Sequence, residues 1–224
     1  KNIRLPYILS ITLFFFGTVS HLSAQGGEGS RKIKIETSMG DMVVMLYDQT
    51  PGHRDNMLKL IKEGFYEKHL FHRVIRDFMI QGGDPESVEA RPGQRLGNGG
   101  PGYTIPAEFH PALFHKKGAL AAARLGDRIN PEKASSGSQF YLVQGRPFTP
   151  DMLKMMEDDR SLSFSPQAIE AYTTIGGTPH LDGSYTVFGE VVEGLEVLDL
   201  IASQATDPNN RPLEDVVFSI SIIK

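Results

Sequence analysis

The chain contains no cysteine. Disulfides, a thiol nucleophile and lipid attachment through an N-terminal cysteine are therefore excluded, and the fold must stand on its buried apolar surface alone. A dense basic block is missing too: 23 Lys+Arg against 27 Asp+Glu give a formal charge of -4. Recognition of a phosphate backbone needs a positive surface, so nucleic-acid binding finds no support. The N-terminal apolar run, Ile8 to Val19, is roughly half as long as a membrane-crossing helix requires.

Several catalytic signatures are absent as well. Seven histidines are present, yet no HExxH or His/His/carboxylate pattern occurs. His69 and His72 fall on opposite faces if the segment is a strand, and His110 and His115 merely flank PALF. The glycine-rich GNGGPG at 97–102 lacks the Gly-Lys-Ser/Thr that a phosphate loop needs, and reads as a tight loop using backbone angles open to glycine. No GxSxG elbow is found, and nothing selects a triad built on Ser135, Ser136 or Ser138.

What is present begins with a sorting signal. Lys1 and Arg4 precede the short apolar run, and small residues follow near Ala24, which is the pattern of a secretory signal peptide over residues 1–24. An exported, periplasmic protein is expected, tethered to a membrane if the signal is not cleaved. Residues 25–30 read as a flexible lead-in, and residues 31–224 as one domain.

Within that domain, Ile33 and Ile35 alternate with Lys34 and Glu36, and DMVVMLY follows the turn at Met39-Gly40 as the second strand of a hairpin. Pro51 opens a helix through Met57, Leu58, Leu60 and Ile61 that stops at Gly64. Short strand-like runs follow at LFHRVI, FMIQ, GALAAA, QFYLV, YTVFGEVV and VVFSISII, with a second helix at GLEVLDLIAS. Many short strands and two separated helices predict a closed antiparallel barrel. Residues 145–177 stand apart, with two short helical segments. Surface decoration and a lid or substrate-selecting element are both open for them.

One segment resists a bland explanation. In FHRVIRDFMIQGG, Arg73 and Gln81 stand inside strand-like runs beside Phe78 and Met79, with Arg73 at even spacing from Phe71 and Ile75. A charge on an apolar face is costly unless hydrogen-bonded. The pattern alone leaves a barrel rim or a salt bridge open.

Here the sequence resembles the cyclophilins. The resemblance is carried by FHRVIRDFMIQGGD at 71–84, GALAAA at 118–123, SSGSQFYLV at 135–143 and LDGSYTVFGEVVEG at 181–194, in order from about Arg31 to the end. It implies a mainly β fold, a closed eight-stranded antiparallel barrel capped by two helices, carrying a helical insertion at 145–177. It further implies a cofactor-free peptidyl-prolyl cis/trans isomerase that acts on proline-containing polypeptides.

Carried over position by position, Arg73 is similar to the catalytic arginine and Gln81 to the residue that reaches the substrate backbone. Phe78, Met79, Tyr141 and Leu181 resemble the walls of the proline pocket. Ala123 and Arg124 resemble the strand edge that supports the peptide, and Gln139 the glutamine beside the arginine. Arg124 stands where asparagine is usual, Tyr141 where phenylalanine is common, and His180 and Tyr185 where the eukaryotic archetype has tryptophan and histidine. The changes at His180 and Tyr185 imply altered peptide preference and weaker cyclosporin binding with activity retained. Together with Arg124 they also motivate a rival reading, a non-catalytic module that grips proline segments. The run TTIGGTPHLDG at 173–183 resembles exported cyclophilins of Bacteroidetes-like bacteria. No long apolar surface helix demands a dimer, so a monomer is expected.

Overall fold

The computed structural model describes residues 31–160 and 162–223. The expected signal peptide and lead-in lie outside the described residues. In chain order the elements are β1 (Lys32–Thr37), β2 (Gly40–Leu46), α1 (Pro51–Lys62), β3 (His69–Leu70), β4 (Arg73–Ile75), β5 (Met79–Gly82), β6 (Thr104–Ile105) and β7 (Ala119–Ala122). There follow β8 (Ser135–Ser136), β9 (Phe140–Val143), α2 (Pro150–Arg160), α3 (Pro166–Thr174), β10 (Val187–Glu193), α4 (Leu195–Ala202) and β11 (Val217–Ile222).

Alternation builds the sheet. In the hairpin of β1 and β2, Ile33, Ile35, Met42, Val44 and Leu46 are at most 1% exposed, while Lys34 and Glu36 point outward to pair with each other. On the inner face these side chains meet Phe71, Ile80, Phe140, Leu142, Phe188 and Phe218. One helix closes each side of this core: α1 inserts Met57, Leu60 and Ile61, and α4 inserts Val197, Leu198 and Ile201. The first turn of α1 has no side-chain cap from Thr50. Instead Glu108 accepts from the Gly52 and His53 amides at 3.0 and 2.9 Å, satisfying donors that the helix leaves open.

The expected closed eight-stranded barrel is not what forms. Nine strands make one antiparallel sheet in the order β3-β11-β1-β2-β10-β7-β9-β5-β4, curled into a half-barrel and open between β3 and β4; β6 and β8 form a separate pair. The reason lies in LFHRVI, which the alternation pattern reads as one strand. It breaks at Phe71 and His72, so that β3 pairs with β11 while β4 pairs with β5 at the opposite margin. Two strands lying end to end on the same stretch of chain have no turn between them and cannot pair side by side. Across the break, the Phe71 amide donates to Val216 O and the Val74 amide to Asn210 O. The same break turns Phe71 into the core, so Arg73 shares the outer face with Ile75 but not with Phe71.

Four α-helices are found among the described residues, α1 and α4 beside the core and two more in the later segment. The other two, α2 and α3, fall within 145–177 and enclose a small core of their own from Phe148, Leu153, Phe164, Ala168 and Tyr172, with Phe114 packed against it.

Candidate active site

The site grows from the register of four neighbouring strands. Arg73 on β4 lies opposite Gln81 on β5, Gln81 opposite Tyr141 on β9, and Tyr141 opposite Ala121 on β7. Facing residues in a sheet point to the same side, so these four side chains form one row across the outer face. The alternate positions, Ile80, Phe140 and Leu142, go to the core. Ala119, Ala121 and Ala123 keep the row low, leaving Met79 and Tyr141 as the floor of an apolar cluster that also contains Val143 and Val187. Phe78, Leu113, Leu181 and Tyr185 stand partly buried around it. Met79 and Tyr141 are 1% and 4% exposed, so the notch is shallow and its floor is solid.

Arg73 sits at the edge of this notch. Its guanidinium donates to Gln81 Oε1 at 3.1 Å, lies 3.9 Å from Met79 Sδ, and rests 5.9 Å from the centre of the Phe78 ring. Burial weakens the guanidinium's hold on its proton, but arginine remains charged at such a site. Gln81 in turn donates through Nε2 to Gln139 Oε1 at 3.0 Å. An amide carries two N–H groups, so Gln81 retains a donor for another partner.

The chain of bonds continues past Gln139. Its Nε2 donates to Gly97 O at 3.0 Å and Gly99 O at 2.7 Å, and its own backbone amide donates to Ser136 Oγ at 3.1 Å. The loop that carries those carbonyls is held by Asp84, which is fully buried and accepts from the amides of Glu86, Gly97 and Gly99. A Cβ at position 99 would collide with Asp84 Oδ1, which is why glycine stands there. The glycine-rich segment thus serves to bring carbonyls to Gln139, a role that its sequence pattern, a tight loop, does not disclose.

On the far side of the notch, His180 stacks on Phe78 with centroids 5.7 Å apart and planes at 24°. Tyr185 meets Tyr141 edge-on at 6.0 Å. Arg124 lies 4.4 Å over the Tyr185 ring and is fixed there by bonds to Ser184 O at 2.7 Å and Asp127 at 2.6 Å. The Ala123 amide donates to Gln139 O and its carbonyl accepts from Ser136, so both backbone groups of that residue are committed. Cavities flank the notch: about 730 Å³ beside Gln81, Ala123, Arg124 and Gln139, and about 340 Å³ beyond Tyr185 towards Phe114 and Phe164. All the residues singled out from sequence meet around this one notch. Those that sequence reasoning misses are Asp84, His115 and Asp182. Asp84 closes the QGGD motif, whereas the sequence pattern tests His115 only as a metal ligand.

Residues 32–221 match the family described as cyclophilin type peptidyl-prolyl cis-trans isomerase. The chain belongs to the cyclophilin family. This cyclophilin is 39% identical over 192 residues to a Streptococcus pyogenes protein named as a bifunctional phosphatase/peptidyl-prolyl cis-trans isomerase. The match covers 83% of this chain and 37% of that one. To a Staphylococcus aureus protein named as a peptidyl-prolyl cis-trans isomerase it is 36% identical, covering 88% of this chain and 93% of the other. Among solved structures it resembles a Cryptosporidium parvum cyclophilin type isomerase, with a TM-score of 0.62 at 24% identity over 88% of this chain and 99% of that one. A second structure of that protein, in the presence of the dipeptide Ala-Pro, gives a TM-score of 0.61 at 23% identity, covering 86% and 99%. At that identity the likeness speaks for the fold alone.

Proposed function

We propose that this cyclophilin accelerates rotation about X-Pro bonds of polypeptides, with Arg73 as the catalytic residue. An X-Pro bond turns slowly because rotation breaks amide resonance, at a cost of about 18–20 kcal/mol. Acceleration requires no nucleophile, only a site that holds the twisted bond more tightly than either planar form. In the twisted state the proline nitrogen regains its lone pair. Arg73 then donates to it, which opposes the return of resonance.

The observation that carries this reading is the position of Arg73. Its guanidinium is held by Gln81 at the lip of an apolar notch, half-buried, with its approach fixed before substrate arrives. The proline ring sits on Met79 and Tyr141 between Phe78 and Leu181. Gln81 uses its remaining N–H on the substrate backbone. Since the backbone groups of Ala123 are bonded to Gln139 and Ser136, backbone pairing with the peptide falls to Arg124. Gln139, with the loop behind it, keeps Gln81 aimed.

Arg73→Ala should lower kcat/KM by about 10²–10³, the effect of losing one preorganised donor. A protease-coupled assay on an X-Pro peptide measures this, and undiminished activity in that variant would remove Arg73 from the mechanism. The rival binding-only reading predicts no turnover in the wild-type protein, and the same assay decides it.

We further propose that the protein is exported after cleavage near Ala24 and acts as a monomer on exported polypeptides. The sequence of residues 1–24 supports this, together with the resemblance of 173–183 to exported Bacteroidetes-like members. Among the described residues no helix is long and apolar enough to cross a membrane. N-terminal sequencing of the protein recovered from a fractionated cell tests it. Recovery of an uncleaved chain with the cytoplasmic fraction overturns it.

A further inference from the structure

A second hydrogen-bonded chain leaves the floor of the notch in the opposite direction from Arg73. The Tyr141 hydroxyl lies 3.0 Å from His115 Nε2. On the other side of the imidazole, Nδ1 lies 2.7 Å from Asp182 Oδ1, which also accepts the His115 backbone amide at 2.9 Å. The remaining carboxylate oxygen, Oδ2, accepts the Tyr172 hydroxyl at 2.6 Å. Tyr172 belongs to α3, has no solvent exposure, and is clamped edge-on by Phe114 and Phe164 at 5.6 and 5.7 Å.

A carboxylate only accepts, so Nδ1 carries the proton facing Asp182. Nε2 and the Tyr141 hydroxyl close the second bond, the hydroxyl donating when the ring carries a single proton. A phenol at the floor of an apolar notch would be costly if its hydroxyl were unpaired or turned inward. Bonded behind the floor, Tyr141 shows the notch only its ring. His115 is 1% exposed and lies nearly parallel to that ring, with planes at 12° and centroids 6.1 Å apart. Asp182 follows Leu181 directly, so the carboxylate that orients the floor is bonded along the chain to the wall. Thr178, at the end of the 145–177 segment, donates its amide to His115 O at 2.8 Å.

We propose that His115 and Asp182 are positioning residues for the proline pocket, and that the 145–177 segment tunes the pocket's fit to the X-Pro substrate through Tyr172. The inference rests on the isomerase reading above. It makes the added helices a specificity element acting through a buried relay.

Tyr172→Phe removes one oxygen outside the notch. On the full chain, kcat and KM for an X-Pro peptide are measured for the wild type, Tyr172→Phe, Tyr141→Phe and the double variant, with a melting curve for each. The expected result is a KM about two- to ten-fold higher in Tyr172→Phe, the worth of one hydrogen bond, with kcat changed by less than about two-fold. That increase should vanish in the Tyr141→Phe background, where no hydroxyl remains to be oriented. An unchanged KM, or the same increase in both backgrounds, overturns the proposal, the latter because general loosening would act irrespective of Tyr141. Should Tyr172→Phe fail to fold, Asp182→Asn takes its place in the same cycle, and the same two results support or overturn the proposal. A wild type without turnover would defeat the isomerase reading and this inference together, and shows itself because all four proteins then read alike.

Discussion

Arg73 and Gln81 face each other across β4 and β5 with the guanidinium 3.1 Å from the amide oxygen, so the cation is aimed by a neutral partner. A carboxylate at position 81 would bind the guanidinium more strongly and compete for it with an incoming imide. The amide steers without capturing. Gln81→Ala should reduce kcat/KM by about 10- to 100-fold, the loss of one hydrogen bond to a charged group, and by less than Arg73→Ala. Gln81→Glu should cost more than Gln81→Ala, because it also replaces the free N–H by an acceptor. Steady-state kinetics on one X-Pro peptide rank the three variants, and Glu outperforming Ala would refute the steering argument.

The Asp84 carboxylate stands at the far end of the bonds that reach Arg73 through the Gly97 and Gly99 loop, Gln139 and Gln81. Asp84→Asn turns an N–H group, at a fully buried position, towards the backbone donors that the carboxylate now accepts from. It should destabilise the fold by about 1–3 kcal/mol and also lower turnover in the molecules that remain folded. Denaturant titration alongside kinetics separates the two effects. Normal turnover at full stability would show that the loop does not need this carboxylate.

Arg124 lies flat over Tyr185, and Tyr185 rims the notch. Arg124→Ala should free that ring, a contact worth about 0.5–2 kcal/mol, and raise KM by about two- to thirty-fold. The magnitude should depend on the residue preceding proline if, as proposed, the backbone of Arg124 pairs with the peptide. A panel of X-Pro peptides checks this, and a uniform, unchanged KM would make Arg124 a bystander.

Acid should weaken the fold in a defined window. Burial lowers the His72 imidazole from 6.5 to about 4, partly opposed by Asp84, and burial also lowers His53 and His69. The unfolded chain therefore binds more protons than the folded one as pH falls from about 6.5 towards about 4. The contribution is complete above that window and lost through it, on the order of 3 kcal/mol for His72. Denaturant titrations from about pH 7 to about pH 4 should show the decline, with a shallower slope in His72→Gln. Equal slopes would mean that His72 is not the group responsible.

Much of this is legible in the sequence because local pattern and tertiary role coincide. The β1–β2 hairpin, α1 behind Pro51 and α4 behind Gly194 follow from alternation, helical spacing and punctuation. Arg73 stands out because a charge inside an apolar strand needs a partner, and Gln81 supplies one. What stays hidden depends on partners far apart in the chain. Asp182 and His115 are 67 residues apart, and no spacing rule links them. The break at Phe71 and His72 is hidden for a different reason: strand-like residues continue across it with no Gly or Pro to mark a stop, so the pattern alone sees one strand where the chain makes two.

That break ties the sheet's two margins together. Both are formed by a single heptapeptide, His69 to Ile75, which acts as a common hem for edges that never hydrogen-bond to each other. Any loosening of this stretch unpicks the two ends of the sheet simultaneously and carries the guanidinium with it. Amide protons along the heptapeptide should therefore exchange as a block, making loss of turnover and fraying of the sheet one and the same event.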